Sequence, residues 1–279
     1  MCLENKLTEK YREVFKLPKN KPDWAVKKND GVSLVHPAIP FIGKKYSEAK
    51  VLLYASAENL VRYNGYLDID SNAIKRRRDT YNLGLKEREK DKDKYYFPNI
   101  HIKPIEDGSL LTAAAYILKI IGKTFQYNDP YEFIEHIAVD NFCKFSIENG
   151  NRNKDYAGKI NKVRYSFDYI KADLKLLKPE IIILPKTIYN LREVKQIIKD
   201  IVPNSLRIPI YQINSRNINH PERIKKYFLK NEKSTIDKDL LVNWQKRLKN
   251  GTNKNYNGVY TYLENVVKNV LPNLKLGSV

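Results

Sequence analysis

Glu58 and Asn59 stand in Ala55-Ser56-Ala57-Glu58-Asn59-Leu60, the stretch in which the apolar run Lys50-Val51-Leu52-Leu53-Tyr54, read as a strand of a buried sheet, abruptly ends. An acidic side chain there is costly unless it faces a cleft. Glu58 is therefore the first candidate for a carboxylate that stabilises developing positive charge, and Asn59 for the neighbouring amide that holds water. Capping of the next helix, or pairing with Arg62, is the alternative role for Glu58. Asn141 follows a second apolar run, Ile137-Ala138-Val139-Asp140. Its amide both donates and accepts, as the reading of a nucleobase edge requires, although a turn-forming Asn also suits a strand end. A third polar stretch, Asn214-Ser215-Arg216-Asn217-Ile218-Asn219-His220-Pro221, follows Ile208–Ile213. Ser215, Arg216 and Asn217 have the chemistry to hold phosphate. So do Arg76, Arg77 and Arg78, unless that tract is simply a solvated helix face.

These residues need elements to position them. An amphipathic helix is expected across Leu7–Leu17, then a loop from His36-Pro37 to Pro40-Phe41-Ile42-Gly43. Strands are expected at Lys50–Tyr54, Ile137–Asp140, Ile181–Leu184 and Ile208–Ile213, all short apolar runs of the kind parallel sheets bury. Helices are expected at Leu110–Ile121 with Ser109 as N-cap, at Val163–Leu177, and over 187–201. Pro221 suits the first turn of a further helix. C-terminal helices over 236–271 are expected to be interrupted by a Gly251–Gly258 loop. Alternation of strands and helices predicts an α/β fold, a three-layer sandwich whose four-stranded, mainly parallel central sheet is flanked by helices. In the absence of an internal repeat or an obvious linker, one domain over 1–279 is expected. Its core is about 36–230, with a basic N-terminal helix within 1–30 and a helical extension at 236–271. In such sheets chemistry sits beyond the carboxyl ends of the strands, where Glu58, Asn141 and Ser215 all fall.

Composition narrows the partner. The 279 residues carry 51 Lys and Arg against 32 Asp and Glu, a formal charge of +19. A surplus of that size favours a polyanion through phosphate neutralisation, although compositional drift in AT-rich genomes also inflates Lys. Twenty tyrosines add surfaces on which bases can stack. Two distant cysteines and four scattered histidines do not form a metal-ligand pattern, so neither metal nor cofactor is expected. No run is long and apolar enough for a membrane span, and the first residues lack the apolar core of a signal peptide. A cytoplasmic, monomeric nucleic-acid-binding protein is the expectation.

The order of these pieces resembles the uracil-DNA glycosylase superfamily over roughly residues 36–230. Val51–Tyr54 with Ala55-Ser56-Ala57-Glu58-Asn59 is similar to its first strand and water-positioning loop. Ala138-Val139-Asp140-Asn141-Phe142-Cys143 is similar to its base-reading strand end, coming nearest to the single-strand-selective branch. Lys178-Pro179-Glu180-Ile181-Ile182-Ile183 looks like its third strand, and Tyr211–Pro221 occupies the place of its final His-Pro-Ser-Pro loop. Two departures stand out. Ala55 replaces the usual Gly and no Pro follows, and the only nearby His-Pro is displaced to His220-Pro221. Such changes suit a bulkier or modified base, as in bacterial anti-phage members that remove hypermodified cytosine.

The resemblance implies base excision from DNA, duplex or single-stranded, with the target base flipped out. It makes Glu58, Asn59 and His220 the catalytic set, with His220 donating to the leaving base, although a helix-capping or surface role suits His220 equally. Asn141, Phe97 and Tyr63 would bind the base, the two rings being ordinary packing residues otherwise. Ser215, Arg216, Asn217 and Ile218 would hold the distorted strand, Ile218 as an apolar wedge. No lysine lies in the first or last loop, which argues for hydrolysis by water, but Lys144 near the second leaves a lyase step open. A catalytically inactive DNA-binding module of the same fold, and a nucleoside hydrolase or deoxyribosyltransferase, are the alternatives.

Overall fold

The structure, a computed structural model, describes residues 3–27, 30–31, 33–57, 69, 73–75, 108–122, 134–147, 160–210 and 254–273. Its elements in chain order are α1 (Leu3–Lys16), β1 (Phe41–Ile42), α2 (Tyr46–Ala49), β2 (Val51–Ala57), α3 (Gly108–Ile120) and β3 (Ile137–Cys143). They continue with α4 (Ile160–Val163), α5 (Phe167–Leu177), β4 (Ile181–Pro185), α6 (Lys186–Tyr189), α7 (Arg192–Ile201), β5 (Leu206–Ile210) and α8 (Lys254–Val270). Short 3-10 turns occupy Pro18–Asn20 and Arg164–Ser166.

The fold is α/β, with one mixed sheet of five strands in the order β1-β3-β2-β4-β5. β2 lies parallel to both β3 and β4, while β1 is antiparallel to β3. The expected count of four was one short. β1 falls in a segment read as loop because it has only two residues, Phe41 opposite Val139 and Ile42 opposite Ala138, too few for any periodicity. Gly43 follows, and its N–H donates to the Ile137 carbonyl at 2.9 Å. A Cβ at this position would overlap the Glu135 carbonyl, so glycine permits the close approach.

The central strands form because their apolar runs have no polar side to expose. All five residues of β4 are buried, as are Val51–Tyr54 of β2. Helix α1 has one apolar stripe, Leu7, Tyr11 and Val14, which is buried and packs on α5. Lys50 and Lys178, both at φ 49°, end α2 and α5 in the left-handed conformation and turn each helix toward a strand.

Other boundaries differ from expectation. The single helix expected over Val163–Leu177 is broken into α4, the Arg164–Ser166 turn and α5. The one expected over 187–201 is α6 and α7, separated at Asn190 and Leu191. Helix α3 begins at Gly108, so Ser109 lies within it rather than capping it. The loop expected at Gly251–Gly258 is corrected from residue 254 onward, where α8 runs through Gly258. A single glycine costs a helix only ~1 kcal/mol, which packing overrides. β5 starts two residues earlier than expected, and residues 211–213 lie outside the described residues.

The chain divides into two compact units, Met1–Leu85 with Ile134–Pro209, and Lys86–Phe133 with Ile210–Val279. The first holds β1 to β4, β5 as far as Pro209, and their helices. In the second, α3 packs on α8, and both are buried all round over Ala113–Leu118 and Tyr262–Val267. Tyr116 donates to the Glu264 carboxylate between them. Among the described residues no helix is long and apolar enough to cross a membrane.

Candidate active site at the carboxyl end of the sheet

The parallel register of β2 and β3 brings their carboxyl ends side by side, with Tyr54 opposite Asp140, Ala55 opposite Asn141 and Ala57 opposite Cys143. Side chains alternate between faces along each strand. Leu52, Tyr54, Ala138, Asp140 and Phe142 lie on one face, the face that packs on α1 and α5. Leu53, Ala55, Val139 and Asn141 lie on the other. Among the described side chains of β2 and β3, only Ala55, Val139 and Asn141 are partly exposed, and all three lie on this second face. Asn141 sits there beside the small Ala55, while Leu53 and Ile137 of the same face are buried.

Beneath Asn141, on the first face, is a group of ionisable side chains cut off from water. Lys144, just beyond β3, pairs with the Asp140 carboxylate and with Asp173 Oδ2 at 2.9 Å, and all three side chains are 0% exposed. Tyr11 donates to Asp173 Oδ1 at 2.7 Å and Tyr54 to Asp173 Oδ2 at 3.2 Å. The Lys144 ammonium lies 5.2 Å from the Tyr11 ring centroid and 5.9 Å from that of Tyr54. Its main chain is also held: the N–H donates to Ser166 Oγ at 2.9 Å, and the carbonyl accepts from Ala38 at 2.8 Å.

The charges explain the arrangement. One ammonium facing two carboxylates leaves a surplus negative charge with no water to solvate it. Burial pushes the Asp140 carboxyl well above its ordinary value, Lys144 opposes this, and the neighbouring Asp173 adds to it. Burial and the two carboxylates likewise hold both phenols, Tyr11 and Tyr54, far above their ordinary range, so both remain donors. Asp140 Oδ1 accepts the main-chain N–H of Asn141 at 2.7 Å. The buried group is thereby tied directly to Asn141. Burial also pushes up the thiol of Cys143, which is free and buried.

Of the residues expected to form the site, Asn141 lies within β3, partly exposed and two residues before its end. Glu58, Asn59, Tyr63, Arg76, Arg77, Arg78, Phe97, Ser215, Arg216, Asn217, Ile218 and His220 lie outside the described residues. In sequence, Glu58 and Asn59 follow the last residue of β2. Lys144, left open as a nucleophile, is committed: its amine is wholly buried and held by two carboxylates. The Asp140–Lys144–Asp173 group had a faint signal in the sequence. Asp140 and Lys144 stand four apart in an apolar stretch, and Asp173 interrupts the apolar side of α5. No protein-family model, curated protein or solved structure matches the chain.

Proposed function

We propose that the chain is a DNA glycosylase of the uracil-DNA glycosylase type. It hydrolyses the N-glycosidic bond of a flipped-out uracil-type base or modified cytosine and leaves an abasic site. The observation that carries this reading is the strand order. With β3 and β4 on opposite sides of β2, and both parallel to it, successive strands are added in opposite directions. Open α/β sheets bind ligands beyond the carboxyl ends of the strands at such a reversal. Glu58 follows β2 there, and Asn141, partly exposed, lies one strand away. The finer architecture within this reading is a three-layer sandwich.

Cleavage of the bond gives the deoxyribose oxocarbenium character. The Glu58 carboxylate stabilises that charge and, with Asn59, orients the water whose oxygen bonds to the anomeric carbon. The bond to the base breaks, the base leaves with the electron pair, and His220 donates toward it. Asn141 pairs with the base edge through both functions of its amide, with Phe97 and Tyr63 as stacking walls. A buried, paired Lys144 favours water over a Schiff base as the nucleophile. Phosphate contacts from Ser215, Arg216 and Asn217, and from Arg76 to Arg78, draw on the +19 charge, with Ile218 filling the vacated stack.

The test is a panel of DNAs containing uracil, deaminated purines, hydroxymethylcytosine and glucosylated hydroxymethylcytosine, assayed for abasic sites and free base. Release of one base is expected, reduced by about 10²–10⁴-fold in Glu58→Gln. Salt-sensitive DNA binding with no release from any substrate would make the chain a binding module instead.

A further inference from the structure

A basic surface with aromatic rings flanks the same end of the sheet and includes none of the residues assigned above. Its place follows from two anchors. Ser166 takes the main-chain N–H of Lys144 just beyond β3, and Ala25 bridges Ile147. The turn before α5 and the segment after α1 therefore meet beyond the carboxyl end of β3. The other end of α5 lies at the opposite, amino end of β2 and β4, where the Leu177 carbonyl accepts from the Tyr46 hydroxyl and the Glu180 N–H donates to the Lys50 carbonyl.

Beyond the carboxyl end of β3 the rings of Trp24 and Tyr165, both half-buried, meet edge to face with centroids 5.7 Å apart. Lys162 stands over Trp24 at 5.4 Å and Arg164 over Tyr165 at 5.4 Å. Lys21 stands over Phe15 at 5.0 Å. Leu17, in the same segment, is 44% exposed, the one large hydrophobic so exposed among the described residues. Segments 16–24 and 160–171 carry six cations and only two carboxylates, Asp23 and Asp168. Asp168 is already neutralised by Lys19 at 2.9 Å and Lys171 at 3.1 Å.

We propose that this surface binds an unpaired nucleic-acid strand, with Lys162, Arg164 and Lys21 on its phosphates and Trp24 offering a face to a base. Half-buried aromatic rings alternating with cations suit a single strand, whose bases are free to stack while its backbone needs neutralising. A phospholipid surface would use the cations but leave the rings edge to face and half-buried, without an apolar face to insert. The inference rests on the reading that the partner is DNA. It does not depend on hydrolysis.

The experiment measures binding of the full chain to an oligothymidylate single strand across a salt series. Lys162→Glu/Arg164→Glu is compared with a control of equal charge change, Lys175→Glu/Lys199→Glu, placed in the last turns of α5 and α7. The first variant is expected to lose about tenfold or more in affinity. Its log–log salt slope should be shallower by about 1.4, for two lost phosphate contacts. The control should lose much less. In a Trp244→Phe background the strand should also quench Trp24 fluorescence. Equal losses in both variants would reduce the effect to net charge and overturn the proposal. So would unchanged binding, binding without quenching, or loss of binding to anionic phospholipid vesicles only. Failure of the wild type to bind DNA at all would sink the glycosylase reading too. Binding that depends on this surface, without base release, would leave the inference standing alone.

Discussion

Asp140 and Lys144 show how a single residue can matter without touching a ligand. Tyr11 joins the same group by bonds to Asp140 and Asp173 across chain separations of 129 and 162 residues. A window of sequence shows only Asp140 and Lys144 four apart in an apolar stretch, because the fold alone supplies the distant partners that make their burial tolerable. Removing one partner of a buried ion pair leaves the other uncompensated. Lys144→Met is therefore expected to lose about 3–5 kcal/mol of stability in urea denaturation. The pH dependence has a definite sign. The folded Asp140 carboxyl sits well above its ordinary 3.8, so its proton favours the folded state. That contribution is complete below about pH 4 and fades as pH rises through the raised value. Wild-type stability relative to Asp140→Asn should accordingly be greatest in acid and decline with rising pH. A difference that grew with pH would mean the carboxyl is held low instead.

Elements were legible where local pattern and burial agree. The strands β2, β3 and β4 could be read because continuous apolar runs fit only an interior. Helix α1 could be read from its spaced Leu7, Tyr11 and Val14. β1 could not, since two residues become a strand only when β3 is present to pair with them. The same dependence makes Gly43 vulnerable: Gly43→Ala forces a methyl into the Glu135 carbonyl. It is expected to cost about 1–3 kcal/mol by thermal or urea unfolding. A neutral result would mean that β1 and β3 are not held this closely. Of the candidate site, the place of Asn141 on β3 was legible, although that strand runs two residues past it to Cys143. Its attachment to a buried carboxylate was not, because Asp140 reads from sequence as one more polar residue closing a strand.

At the scale of the molecule, each compact unit is built from two separated stretches of chain. No single linker marks such a division, so composition along the sequence did not show it. What composition did show is the charge of +19, the broadest support for a polyanionic partner. The central claim is that the carboxyl ends of β2 and β3 act together on one base. The most direct test is single-turnover base release by wild type, Glu58→Gln and Asn141→Ala on the substrate found in the panel, with DNA affinity measured alongside. Both variants should bind DNA lacking the target base as wild type does, since phosphate contacts carry that affinity. Glu58→Gln should slow release by about 10²–10⁴-fold. Asn141→Ala should slow it by about 10²–10³-fold, as loss of a positioned hydrogen-bonding group does. Wild-type release rates in either variant would contradict the account.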